Sequence, residues 1–172
     1  MSTTALPYKI STLIYIRNHA NELLLLERLK APNAGLWSPI GGKLDMGSGE
    51  SPFEAARREA AEEIGLTLRD EDLHLFAMIA EKNYEFKVHW LMFLFDCSQT
   101  IADLPPPISE GRFAFVPEAD IPTLKIPETD SLSLWPAYRK YRRGFVSLRA
   151  DCRPDRPLQV ITEQVLPPAT AE

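Results

Sequence analysis

Residues 41–66, GGKLDMGSGESPFEAARREAAEEIGL, set a glycine-rich loop immediately before a helix that gathers carboxylates on one side. Ser51 is a good N-cap, Pro52 suits the first helical position, and Glu54 completes a capping box with Ser51. Phe53, Ala56, Ala60 and Ile64 fall within a narrow arc of the helical wheel, which predicts the side that meets the core. Gly65 ends the helix as a left-handed cap. Glu59, Glu62 and Glu63 stand at i, i+3 and i+4 and therefore share a helix face. Glu59 and Glu63 lie beside the apolar stripe, and Glu62 further round. Like charges at these offsets repel by roughly 0.2–0.5 kcal/mol per pair, and a cation among them turns that repulsion into attraction. Oxygen ligands of this kind suit Mg²⁺, with Mn²⁺ able to substitute.

Taken alone, REAAEE reads as the solvated surface of a glutamate-rich helix. The order and separation of Gly41-Gly42, Glu50, Arg58-Glu59, Glu62-Glu63 and Gly65 reverse that reading. At these residues the sequence resembles the Nudix hydrolase family, whose signature is G-x5-E-x7-R-E-U-x-E-E-x-G-U with U an apolar aliphatic residue. From Glu50 onward the spacing matches, through Arg58-Glu59, Ala60, Glu62-Glu63, Ile64, Gly65 and Leu66. The departure lies earlier: seven residues separate Gly42 from Glu50 instead of five. The extra pair falls within Met46-Gly47-Ser48-Gly49, where a turn absorbs an insertion at little entropic cost. The resemblance covers residues 22–66, and the remainder of the chain is compatible with it.

The resemblance implies an α+β or mixed α/β fold, an α/β/α sandwich around a curved mixed sheet. It implies Glu62 and Glu63 as core metal ligands, Glu50 in the metal shell, and Glu59 as a further ligand or the general base that activates water. Arg58 would hold Glu59 through an ion pair. The Gly41-Gly42 backbone and the adjoining Lys43 would approach metal or phosphates. Glu110, just ahead of an expected strand, is the candidate for an additional downstream carboxylate, and an ordinary loop glutamate is its bland alternative. Arg28, at a strand end, is a candidate phosphate contact, and Tyr84, at an expected turn, a candidate for stacking on a base.

The implied activity is Mg²⁺-dependent cleavage of a phosphoanhydride bond in a nucleoside diphosphate linked to another group. Divalent ions neutralise the phosphates and a carboxylate takes the water proton. A nucleotide sensor without turnover is the competing reading; loss of Glu59, Glu62 or Glu63 would have marked one, and none is lost. An isoprenoid diphosphate isomerase would need Cys97 or Cys152 beside the metal, and neither lies in a recognisable context.

Composition bounds the rest. A chain of 172 residues, 45% hydrophobic and 25% charged, predicts one globular domain with a sizeable core. Its net charge of −5 argues against stable nucleic-acid binding. MSTTALPYKI holds no long apolar leader and no apolar run reaches spanning length, so no membrane partner is expected. Two isolated cysteines fit a reducing cytoplasm. The expected partner is a nucleotide-type small molecule, with the protein a monomer or homodimer.

Strands are expected over 8–16, 22–28, 73–81, 88–95 and 113–116, with turns at 18–21 and Lys82-Asn83. A second helix is expected over Asp130 to Arg143, interrupted or started at Pro136. Residues 1–150 then form the domain. Residues 151–172 read as a proline-rich tail in which Val160-Ile161 add one short edge strand. Trp37 and Trp90 read as core.

Overall fold

The computed structural model describes residues 5–30 and 33–169. Eight strands form one mixed sheet: β1 (Tyr8–Asn18), β2 (Leu23–Arg28), β3 (Trp37–Ser38), β4 (Leu73–Tyr84), β5 (Val88–Ile101), β6 (Gly111–Val116), β7 (Phe145–Asp151) and β8 (Gln159–Leu166). Their order is β3-β2-β1-β5-β4-β7-β8, with β6 paired to β2. The β1/β5 and β4/β7 pairs are parallel, and the other strand pairs are antiparallel.

Helix α1 (Pro52–Ile64) covers one face and α2 (Trp135–Tyr141) the other, which gives the α/β/α sandwich. Alternation along β1 feeds both layers: Ile14 and Ile16 meet Ala56 and Ala60 of α1, while Tyr15 meets Trp135 and Tyr138 of α2. Phe53 sets its ring edge-on against Phe95 at 4.8 Å. Ser51 caps α1, the reciprocal Ser51/Glu54 capping box is formed, and Gly65 ends the helix at φ 67°. No helix among the described residues is long and apolar enough to cross a membrane.

The strands β1 and β2 pair only beside their turn, at Arg17 and Leu23, and then separate. The chain 40–44 enters that gap: Ile14 N–H donates to the Ile40 carbonyl at 2.9 Å and Thr12 N–H to the Gly42 carbonyl at 2.9 Å. The glycine loop is thereby stitched to the middle of the sheet.

Several elements extend further than the local patterning indicates. The strand β4 runs through Lys82-Asn83 because a register shift between Glu81 and Tyr84 absorbs the bend, and positive φ falls at Asn83, Glu85 and Phe86. β5 continues past Phe95 because long-range partners hold its polar half, Arg17 on Asp96 at 2.6 Å and Asp72 on Gln99 at 2.8 Å. The second helix begins as a π-helical turn over Asp130–Leu134 and runs on without a break into α2, so Pro136 lies inside the helical run, where it cannot donate to a carbonyl of the preceding turn. Phe145–Asp151, read as no element at all, is a buried strand, and the short strand at Val160-Ile161 lengthens to Gln159–Leu166. β8 is a solvent-facing edge held by backbone pairing with β7, so its side chains carry little hydrophobic alternation.

Candidate active site

The loop and α1 meet at Gly41 and Gly42. Gly41 adopts φ 141°, and a Cβ there would run into the backbone carbonyl of Thr12. Its N–H donates to Glu63 Oε2 at 3.1 Å. A Cβ on Gly42 would collide with the Glu59 carboxylate. Two glycines therefore let backbone reach two helix acids.

Arg58 organises the outer side of this arrangement. Its Nε and Nη2 hold the two oxygens of Glu50 at 2.7 and 2.9 Å, Nη1 donates to Glu59 Oε1 at 2.7 Å and Glu62 Oε2 at 3.2 Å, and Nη2 also reaches the Lys43 carbonyl at 3.0 Å. All five guanidinium N–H groups are used. This ring of acceptors holds the Arg58 pKa above its ordinary value, the bond to Glu50 being the largest cause. Conversely, Arg58 holds the Glu50 carboxyl below its ordinary range. The Asp45–Glu50 turn is closed at both ends, by Glu50 N–H on the Asp45 carbonyl at 3.1 Å and Asp45 N–H on Glu50 Oε2 at 2.8 Å. Its Gly/Ser residues thus bulge outward and leave Glu50 against the helix.

Burial acts on the inner acids. The Glu59 side chain is 13% exposed, and its pKa rises because desolvation outweighs the opposing pull of Arg58. Burial also pushes Glu63 up to about 7, helped by the charges of Glu59 and Glu110 and opposed by the Gly41 N–H. Glu110 reaches this group from the start of β6, where Arg28 and Gly111 are paired residues, and its carboxylate lies 3.8 Å from Arg28. Glu62, 62% exposed, turns outward.

Acids forced toward their neutral forms by burial and by one another are those a divalent cation would return to carboxylates, and the donor set is wholly oxygen, as Mg²⁺ or Mn²⁺ requires. Among the described residues no three metal-binding side chains already converge. Arg58 engages Glu50, Glu59 and Glu62 together.

Glu59, Glu63, Glu110, Arg28, Lys43, Gly41 and Gly42 all border one cavity of about 470 Å³. Arg58, Glu50 and Glu62 do not line it. Tyr84 borders it too, together with Trp37 and Trp90, which are half-buried walls of the cavity as well as partners of the core. Neither Cys97 nor Cys152 is among the lining residues.

Two further carboxylates of this cavity, Glu81 and Asp130, are not among the residues that the sequence singles out. Glu81 had a readable signal: in β4 the inward positions run Ala77, Ile79, Glu81, so a carboxylate occupies a core register. Asp130, beside Thr129, resembles an ordinary start to a helix and carries no such signal. Burial pushes Glu81 to about 8, with the Asp130 charge adding to it, and pushes Asp130 to about 7. The folded state thus retains protons that an unfolded chain, with values near 4.5 and 3.8, releases. Stability from these groups is complete below about pH 4 and is lost as pH climbs toward 8. At about 1.4 kcal/mol per pKa unit, the melting temperature is expected to fall by at least roughly 5 °C between pH 5 and pH 8. Glu81→Gln should flatten that slope, and a wild-type melting temperature level across the range would refute the reading.

The chain matches the family model of the NUDIX domain over residues 7–136. Its fold is similar to that of the mutator MutT protein from Bacillus halodurans, at 21% identity, 90% coverage of this chain, 97% of that chain and a TM-score of 0.72. The MutT protein from Methanosarcina mazei Go1 is 25% identical, with 80% of this chain and 99% of that chain covered and a TM-score of 0.64. The NUDIX domain of Shewanella oneidensis NrtR, solved in complex with ADP ribose, is 18% identical, with coverages of 81% and 90% and a TM-score of 0.62.

Proposed function

This chain belongs to the Nudix family of hydrolases, and we propose that it cleaves a phosphoanhydride bond in a nucleoside diphosphate linked to another group, with Mg²⁺ as cofactor and Mn²⁺ as a substitute. Nucleoside triphosphates and nucleotide-sugars are the substrates of choice. The observation that carries this reading is the position of Glu59: largely buried, gripped on one oxygen by Arg58, and facing the same cavity as Glu63 and Glu110.

Glu63 and Glu110, which face the cavity, would hold the ion, and Glu62 would join them by turning inward from its contact with Arg58. Glu50, both of whose oxygens already accept bonds, would join only by releasing one; as arranged it orients Arg58. A bound divalent ion would neutralise phosphate charge and sharpen the attacking water. Glu59 is the general base. Its raised pKa makes it a better proton acceptor, and Arg58 keeps the carboxylate from rotating away. Arg28 and Lys43 offer cations to phosphate oxygens, and Trp37, Trp90 and Tyr84 offer aromatic surface to a base. A substrate bearing net negative charge needs these cations, because the chain itself carries −5.

The test is a turnover screen over nucleotide classes with and without Mg²⁺, run in ¹⁸O-labelled water so that the label marks the phosphorus attacked. Metal-dependent release of a phosphorylated product supports the reading; tight nucleotide binding with no product after long incubation would establish a sensor instead. Glu62→Gln and Glu63→Gln should each weaken Mg²⁺ affinity by at least roughly tenfold, measured by metal titration. Unchanged titrations would remove these residues from the ligand set.

A further inference from the structure

The cavity also holds two carboxyls that the hydrolytic chemistry leaves unused. Glu81, 2% exposed, projects from β4 at the position paired with Trp90 of β5, and its Oε1 has no hydrogen-bond partner among the described residues. Asp130 enters from the opposite layer, at the start of the π-helical turn, with a long 3.4 Å bond from Thr129 Oγ1. Both line the same cavity as Trp37 and Trp90.

A buried carboxyl without a partner is costly, and a fold retains one where something outside the chain completes it. The two groups interact electrostatically and cannot both ionise cheaply, so near neutral pH the pair keeps a proton between them. It then presents an excess of acceptor oxygens over donor hydrogens. The complement of such a pair, between aromatic walls, is a flat ring edge rich in N–H groups.

We infer that Glu81 and Asp130 are the base-recognition residues of this cavity and select nucleobases bearing an exocyclic amino group over those that carry a carbonyl oxygen or a hydrogen at the same position. The inference rests on the nucleotide reading above and deepens it. An amino group donates to the acceptor oxygens that the pair holds in excess, whereas a carbonyl placed there is matched only by the single retained proton and otherwise faces another acceptor. Trp37 and Trp90 supply aromatic area that every base can use, so discrimination falls to the carboxyl pair.

The experiment measures binding of CMP against UMP and of GMP against IMP, by tryptophan fluorescence or calorimetry on the intact protein in EDTA. GMP and IMP differ only in the 2-amino group, whereas CMP and UMP differ in a 4-amino group against a carbonyl and, with it, in whether ring N3 accepts or donates. The amino-bearing member is expected to bind roughly tenfold more tightly or better. The double variant Glu81→Gln/Asp130→Asn, whose amides donate as well as accept, should bring the ratio within about threefold; its melting temperature checks that it folds. Equal binding within both wild-type pairs, no measurable binding of any of the four at millimolar concentration, or a preference untouched in the folded double variant would each overturn the inference. Because no metal or turnover is needed, a protein that shows the preference and hydrolyses nothing would sink the hydrolytic reading alone.

Discussion

Glu59→Gln is expected to lower kcat by roughly 10²–10⁴-fold and to leave the protein as stable as before. The amide has the size of the carboxylate, and its carbonyl oxygen can still accept from Arg58 Nη1, where the present contact is 2.7 Å. What disappears is the capacity to take a proton. Stability should hold or rise slightly, because burial already disfavours the charged form of this side chain. A loss confined to kcat, with KM little moved, is the mark of an interaction made in the transition state. Glu59→Asp, which keeps the acid but shortens its reach from α1, should retain an intermediate rate. Full activity in Glu59→Gln would hand the base role to another carboxylate of the cavity, with Glu110 the first to examine, since its charge already reaches Glu59.

The parts of the molecule that announce themselves in sequence are those governed by local chemistry. The α1 boundaries follow from the Ser51/Glu54 cap, Pro52 and Gly65, each of which acts within a few residues of itself. The shared face of Glu59, Glu62 and Glu63 is equally local. Parts that depend on distant partners are silent. Phe145–Asp151 becomes a strand because β4 offers it a parallel edge, with Ile79 paired to Leu148 across a long sequence separation. Glu50 shows the same division inside the site. Its place in the signature is legible, but only the fold reveals that Arg58 occupies both of its oxygens. Asp130 is silent for the same reason, since nothing near it in the chain indicates that it borders a cavity with Glu81.

Gly41→Ala should be the most damaging substitution of a single hydrogen by a methyl group in the chain. At φ 141° an L side chain is strained by itself, at a cost of order 1–3 kcal/mol. Here the new Cβ also meets the Thr12 carbonyl, which cannot withdraw, because Thr12 is paired with Phe93 in the middle of the sheet. The loop must therefore peel away and surrender the Thr12–Gly42 and Ile14–Ile40 bonds together with the Gly41 contact to Glu63. A fall in melting temperature of roughly 10 °C is expected, with turnover lost even at temperatures where the protein remains folded. Two neighbours separate strain from site damage. Gly49→Ala, also at positive φ but with open space around its Cβ, should cost about 1 kcal/mol and spare activity. Gly42→Ala meets only the movable end of Glu59, so the fold should survive while the base is displaced and kcat drops. If Gly41→Ala melted like Gly49→Ala and hydrolysed substrate at the wild-type rate, the loop could not be held as this fold holds it, and the contact between backbone and helix acids would lose its place in the mechanism.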